Sequence, residues 1–304
     1  MKRALLLTAA VIFLNIPFTE NSNAFSNQKQ KDVEFEQNCY DSSLNSLAYS
    51  YCVTTTVGSQ SKDVLYFFHG AFGNEKNWTG GINADMRQRV RLYWQESGYD
   101  APTVISLSLG TLWMVRDHES KDGDLANLDL ITNSLIPELE DKHLGGELQG
   151  RRLLMGVSMG GFNALTLMMK RPELWNKAAI IAPMIPLCDP WISDIKQYIC
   201  VSSDENKNNL FLAKIAHDLV KAQFPLPEQW ESANPLNLAK SELNPNSVPF
   251  LLTVGNIDSF GFYTNGKQFA ERAQNLGAPI TWLPTGYKHG VYDAEVLAEY
   301  LISE

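Results

Sequence analysis

Short apolar runs alternate with amphipathic stretches along most of this chain, and the alternation predicts strands and helices in turn. Leu47 to Thr56 alternates β-favouring residues, Val64 to Phe68 is an unbroken apolar and aromatic run, and Thr103 to Leu107 is a third strand. Leu153 to Met155, Ala178 to Ala182, Pro249 to Val254 and Ile280 to Leu283 complete the set. Helical spacing covers Asn83 to Glu96, Leu125 to Leu139 with Pro137 as an irregularity near its end, Phe162 to Lys170, Gly266 to Leu276 and Tyr292 to Leu301. Residues 25–36 are polar and read as a loose arm, and residues 183–247 read as an irregular insertion holding one good helix, Asn208 to Ala222. Strands alternating with helices predict an α/β fold, a doubly wound and mostly parallel sheet with helices on both faces. No repeat or domain boundary interrupts the pattern, so residues 25–304 read as one domain long enough for a single large core.

The first residues break the pattern. Lys2 and Arg3 precede an apolar stretch from Ala4 to about Phe18, and Ser22-Asn23-Ala24 offers small residues where a signal peptidase cuts. Asn15 and Pro17 interrupt that stretch too early for a membrane anchor. Residues 1–24 therefore read as a signal peptide, which makes the protein secreted or periplasmic and leaves no integral span after cleavage. Loss of Lys2, Arg3 and Glu20 with the leader moves the formal charge from −9 to −10. With no basic block or basic-aromatic stripe, nucleic acid and anionic membrane surfaces are excluded as partners. Four cysteines fall into two local pairs, Cys39 with Cys52 and Cys188 with Cys200. None belongs to a C-x-x-C pair or lies near clustered histidines, so neither a metal nor another cofactor is expected. In an exported chain an even count favours disulfides, of which the local pairing is the simplest of three. It would staple an N-terminal hairpin and a loop of the insertion. Asn77-Trp78-Thr79 is a glycosylation sequon.

Candidate chemistry centres on Gly156-Val157-Ser158-Met159-Gly160, between the Leu153 strand and the Phe162 helix. A serine so flanked can sit on a tight strand-to-helix turn that exposes its hydroxyl. Such a pattern recurs by chance in roughly one chain in ten of this length, so context decides. In a doubly wound sheet, reactive groups gather at the carboxyl ends of strands. Asp258 follows the Pro249–Val254 strand, and His289 follows the Ile280–Leu283 strand, giving the chain order Ser, Asp, His. A serine hydroxyl needs a base to take its proton, an imidazole titrates near neutrality, and a carboxylate fixes the imidazole tautomer. The oxyanion formed on attack needs backbone donors: Met159 N–H, and a second from His69-Gly70-Ala71-Phe72-Gly73, with Ala71 first and Phe72 as the alternative. Asp189 and Asp293 are the other candidates for the acid. His69 suits a structural loop role, His118 could line the pocket, His143 ends a helix and His217 lies in the insertion helix. Phe72, Trp113 and Trp191 are candidates for binding the substrate's apolar part, as are Trp78 and Met184, although core packing would also account for each.

Gly156-Val157-Ser158-Met159-Gly160-Gly161-Phe162-Asn163-Ala164-Leu165 resembles the G-x-S-M-G-G-x-x-A-L signature of the esterase D-like α/β-hydrolases. That family includes S-formylglutathione hydrolases, feruloyl esterases and mycolyltransferases. Arg171-Pro172-Glu173-Leu174-Trp175, Gly255-Asn256-Ile257-Asp258-Ser259-Phe260 and Lys288-His289 are similar to its later motifs, so the likeness runs from about residue 60 to 300. The oxyanion loop departs from the longer glycine run, and the insertion with Cys188 and Cys200 matches no pattern of the family. The resemblance implies an α/β-hydrolase fold and a serine carboxylesterase acting on a small-molecule or glycan-linked ester. The alternatives are an acyltransferase of the mycolyltransferase type and a non-catalytic binding protein on the same fold. Export argues against the formylglutathione role, because that thiol pool is cytoplasmic.

Overall fold

A computed structural model of the chain describes residues 34–119, 126–146, 148–185, 191 and 210–303. They belong to one compact unit, Val33–Glu304. The expected leader over residues 1–24, Cys188, Asp189 and Cys200 lie outside the described residues.

The strands are β1 (Phe35–Leu44), β2 (Leu47–Thr56), β3 (Val64–Phe68), β4 (Thr103–Ser108), β5 (Arg152–Val157), β6 (Lys177–Ile181), β7 (Phe250–Gly255) and β8 (Ile280–Thr285). They form an eight-stranded sheet in the order β1-β2-β4-β3-β5-β6-β7-β8. Among the described residues only the β1–β2 and β2–β4 pairings are antiparallel. β1 begins inside the expected loose arm. Its sequence is too polar to announce a strand, but it pairs with β2 along its whole length as an exposed edge. The two-residue turn between them is Asn45-Ser46, both at positive φ (49° and 69°), the geometry that matches the twist of a tight hairpin. Cys39 pairs with Cys52 across this hairpin, and a disulfide joins them. β3, β6 and β7 are buried throughout, the reason they read as continuous apolar runs without alternation.

Adjacent residues of one strand show that both faces are covered. Phe67 packs against Trp78, whose ring stacks near Trp94 of helix α1 (Ala84–Glu96), and Trp94 Nε1 donates to Ala298 O in the C-terminal helix. Tyr66, pointing the opposite way, donates to Glu140 on the other face. Helix α2 runs from Leu128–Leu130 through a π-helical Ile131–Leu135 into Ile136–Leu144. The irregularity expected at Pro137 falls just upstream of it, because proline fits a first-turn position of the segment that follows. The helix outruns the expected Leu139 and stops at Gly145, left-handed at φ 80°.

Helix α3 (Met159–Lys170) lies against β3, β5 and β6. The insertion holds more than the single helix the sequence suggests: α4 (Leu210–Gln223) is followed by α5 (Pro227–Ala233) and α6 (Pro235–Glu242). Both added helices open on proline, and Asn234 caps α6 by accepting from Leu236 N at 3.0 Å. They are too short to leave a readable period. Phe224 and Trp230 join them to Phe162 of α3. Helix α7 (Phe262–Asn275) starts a turn before the expected Gly266, and α8 (Ala294–Ile302) closes the chain. Among the described residues no helix is long and apolar enough to cross a membrane.

Candidate active site

Ser158 sits between β5 and α3 at φ 59° and ψ −117°, a conformation that L-residues rarely hold. Its backbone is gripped on both sides. Ser158 N donates to Ile181 O at 2.9 Å, and Ser158 O accepts from Phe162 N at 3.0 Å and Met184 N at 2.9 Å. Such strain costs about 1–3 kcal/mol and persists only when the surroundings over-determine it. The flanking glycines are required by contact. A Cβ on Gly156 would lie 2.0 Å from Gly160 O, and one on Gly160 would lie 2.1 Å from Phe68 O. Met159 opens α3, so its N–H has no acceptor within the helix.

The β7–α7 and β8–α8 loops bring the next two candidates together. Asp258 is buried, its Oδ1 accepts from Phe260 N at 2.8 Å, and its Oδ2 lies 2.6 Å from His289 Nδ1. A carboxylate only accepts, so His289 Nδ1 carries the proton and Nε2 faces away from the acid as the basic nitrogen. Phe260 and Phe262 flank the ring, with centroids 4.5 and 5.6 Å from it. A Cβ on Gly290 would sit 3.4 Å from Val157 Cγ1, so the histidine loop abuts the residue before Ser158. Asp293, the rival acid, instead caps α8 by accepting from Val296 N at 3.2 Å.

The loop after β3 runs beside the serine: a Cβ on Gly70 would lie 3.4 Å from Ser158 Cβ and 4.0 Å from its Oγ. Within it, Gly70 O meets His69 Nδ1 at 2.7 Å and accepts from Gly73 N at 3.1 Å. Phe72 N–H donates to Thr111 O at 2.8 Å, with Phe72 itself at φ 65°. His69 is buried, and that desolvation lowers its pKa to about 4, so it is neutral at ordinary pH. Trp113 Nε1–H donates to His69 Nε2 at 3.3 Å, which puts the ring proton on Nδ1, facing Gly70 O.

Other singled-out residues have different surroundings. Trp113 is buried beneath this loop, edge-on to Phe68 at 5.5 Å. Trp191 is half-buried with Lys221 Nζ 5.0 Å from its ring centroid, and Trp78 and Met184 belong to the core. His118 meets Asp117 at 2.9 Å, His143 meets Tyr51 OH at 3.0 Å, and His217 lies 3.5 Å from Asp218. The sequon residue Asn77 has its amide in the loop itself, accepting from Asn74 N and donating to Gly80 O at 3.4 Å. Sequence reading assigned no role to Asn163 or Ser108. Asn163 holds the 113–115 segment against α3, accepting from Val115 N at 2.8 Å and donating to Trp113 O at 3.2 Å. Ser108 Oγ lies 2.9 Å from His69 Nε2. A polar residue in the otherwise apolar first turns of α3 was the available signal for Asn163; Ser108 had none.

The family model described as Putative esterase matches residues 57–295. A search of curated proteins finds no match. Among solved structures, a ferulic acid esterase aligns with a TM-score of 0.61 at 14% identity, over 88% of this chain and 95% of that one. Brefeldin A esterase, described as a bacterial homologue of human hormone sensitive lipase, aligns with a TM-score of 0.59 at 16% identity, over 92% of this chain and 75% of that one. A thermostable esterase from Pseudomonas putida ECU1011 gives 0.59 at 15% identity, over 89% and 84%. At these identities the likeness establishes the fold, that of the α/β-hydrolases.

Proposed function

This chain belongs to the Putative esterase family, and on that premise we propose that it is an exported serine esterase, hydrolysing carboxylic esters through an acyl-enzyme with Ser158, Asp258 and His289 as its triad. The observation that carries this reading is the 2.6 Å contact of buried Asp258 with His289 Nδ1, on loops that abut the strained turn bearing Ser158. His289 Nε2 takes the hydroxyl proton as Ser158 Oγ attacks the ester carbonyl, and Asp258 stabilises the imidazolium that forms. The carbonyl oxygen becomes an oxyanion that accepts from Met159 N–H and Ala71 N–H. Collapse expels the alcohol with the proton from His289. Water, deprotonated by the same nitrogen, then attacks the acyl-serine and releases the acid with Ser158 restored.

Two features support Ala71 over Phe72 as second donor. Phe72 N–H is already spent on Thr111 O. The C=O and N–H of one peptide point in opposite directions. With Gly70 O held by His69 Nδ1–H and Gly73 N–H, Ala71 N–H is aimed away from that side. Export is supported by the charged and apolar start of the chain and by the Cys39–Cys52 disulfide. The substrate is a small-molecule or glycan-linked ester whose apolar part packs at Phe72 and Trp191.

The test is turnover of acetyl, long-acyl and feruloyl esters by the wild type and Ser158→Ala, each with and without a sugar acceptor. The wild type should hydrolyse at least one class, and the variant should lose more than about a thousandfold in kcat. Retention of a tenth of wild-type kcat would reject the nucleophile. Product diverted quantitatively to the sugar would replace hydrolysis with acyl transfer, and folded wild type inert on every ester would favour a binding protein.

A further inference from the structure

Helix α1 buries two arginines one turn apart, Arg87 at 3% and Arg91 at 5% exposure. Among the described residues neither lies within ion-pair distance of a carboxylate; both guanidiniums meet main-chain oxygens and aromatic rings, and Arg91 Nε has no hydrogen-bond partner among the described residues. Arg87 Nε donates to Trp78 O at 3.3 Å, and its Nη2 donates to Gly80 O at 2.7 Å and Ile82 O at 3.1 Å. Its charge lies 5.5 Å from the Phe67 ring centroid. Arg91 Nη1 donates only to Trp78 O, at 3.0 Å. Desolvation lowers the pKa of both. Buried cations cost stability unless well compensated, and apolar residues of similar size would fill this space more cheaply. Arginine is suited to something else here: a planar fork that gathers three carbonyls of one loop.

That loop links the two halves of the site. At one end it carries the Gly70–Ala71 peptide beside Ser158, with Asn77 packed so closely that a Cβ on Gly73 would lie 2.4 Å from Asn77 Oδ1. At the other end it finishes at Asn83, left-handed at φ 56°, whose Nδ2 donates to His289 O at 3.5 Å. A Cβ on Gly290 would sit 2.8 Å from that same Nδ2, so Asn83 packs directly on the His289–Gly290 peptide. Tyr292, three residues past His289, is buried near Arg87 with no hydrogen-bond partner for its hydroxyl among the described residues.

We infer that Arg87 and Asn83 are positioning residues for the catalytic histidine: Arg87 fixes the 78–82 loop, and Asn83 at its end fixes the main chain of His289. The inference rests on the triad reading. A small shift of a catalytic group can cost up to about a hundredfold in rate without touching substrate binding, so the effect falls on kcat.

The experiment measures kcat and KM per active site, counted by fluorophosphonate titration, for the wild type, Asn83→Gly, Arg87→Met, Arg87→Lys and Arg91→Met, with Ser158→Ala, which the probe cannot label, assayed per folded chain as the control. Glycine adopts the left-handed conformation of residue 83 freely, so Asn83→Gly deletes the amide without straining the turn. Expected are a fall of about tenfold in kcat for Asn83→Gly and about ten- to hundredfold for Arg87→Met, each with KM within threefold of wild type. Arg87→Lys keeps the charge but cannot reach three carbonyls, so it recovers only part of the loss. Arg91→Met, which removes one of two donors to Trp78 O and leaves Arg87 on all three carbonyls, stays within threefold in kcat per site. If Arg87→Met does not fold, Asn83→Gly decides. Wild-type kcat per site in Asn83→Gly, with Ser158→Ala dead, overturns this inference and leaves the triad standing. Activity in Ser158→Ala overturns the triad itself.

Discussion

Replacing His69 with asparagine separates the titration of this residue from its hydrogen bond. In His69→Asn the amide nitrogen can take the place of Nδ1 and still donate to Gly70 O, but nothing remains at that position to protonate. Burial lowers the His69 pKa from 6.5 to about 4. Between those values the unfolded chain binds a proton that the folded protein refuses, so stability falls as pH falls through this window. From neutral pH to pH 4.5 the loss attributable to His69 is about 2.5 kcal/mol. The variant lacks this loss. It also lacks the acceptor for Trp113 Nε1–H, which costs about 1 kcal/mol at every pH. Carboxylates titrate alike in both proteins and cancel. Urea unfolding followed by tryptophan fluorescence at pH 7, 5.5 and 4.5 should find the wild type ahead at pH 7 and the variant ahead at pH 4.5. Parallel stability curves would refute a buried, neutral His69. Because the donor to Gly70 O is kept, His69→Asn should hold kcat within tenfold at pH 7, whereas His69→Leu, which has no donor, should lose about a hundredfold.

Three further changes probe other parts of the molecule. Asp258→Asn should lower kcat by about 10³- to 10⁴-fold with little change in KM, while Asp293→Asn, a helix cap, should stay within tenfold in steady-state assays. Gly160→Ala should lower the urea midpoint by an amount worth about 1–3 kcal/mol, because its Cβ would press on Phe68 O at 2.1 Å. Helix propensity alone would stabilise it by about 1 kcal/mol, so the sign of the shift decides between the two effects. Replacing both Cys39 and Cys52 with alanine opens a loop spanning 13 residues and should cost about 3 kcal/mol in the same unfolding assay.

What could be read from the sequence depended on where the information lay. β3, β6 and β7 were legible because strands buried on both faces are apolar at nearly every position, Lys177 at the start of β6 and Thr253 in β7 being the buried polar exceptions. β1 was not, since Phe35–Leu44 is an exposed edge whose pairing with β2, rather than its own composition, makes it a strand. The added helices α5 and α6 are shorter than the window in which a helical period emerges, and their first-turn prolines resemble loop residues until the caps are seen. At the site, chain order and strand ends were enough to nominate Ser158, Asp258 and His289, because glycines and turn residues mark those ends locally. Most supports were hidden. His69 fits the structural loop role that its position suggested, but Asn83 and Asn163 act on main-chain groups of other loops, and a contact such as Asn83 with His289, 206 positions apart, leaves no local trace.

Covalent trapping addresses the proposed chemistry most directly. The wild type is treated with a fluorophosphonate, digested and mapped by mass spectrometry, with loss of esterase activity followed in parallel. One adduct per chain on Ser158, formed in step with the loss of activity and absent from Ser158→Ala, is the predicted result. An adduct on any other residue that tracks inactivation, or full activity after Ser158 is quantitatively labelled, would contradict it.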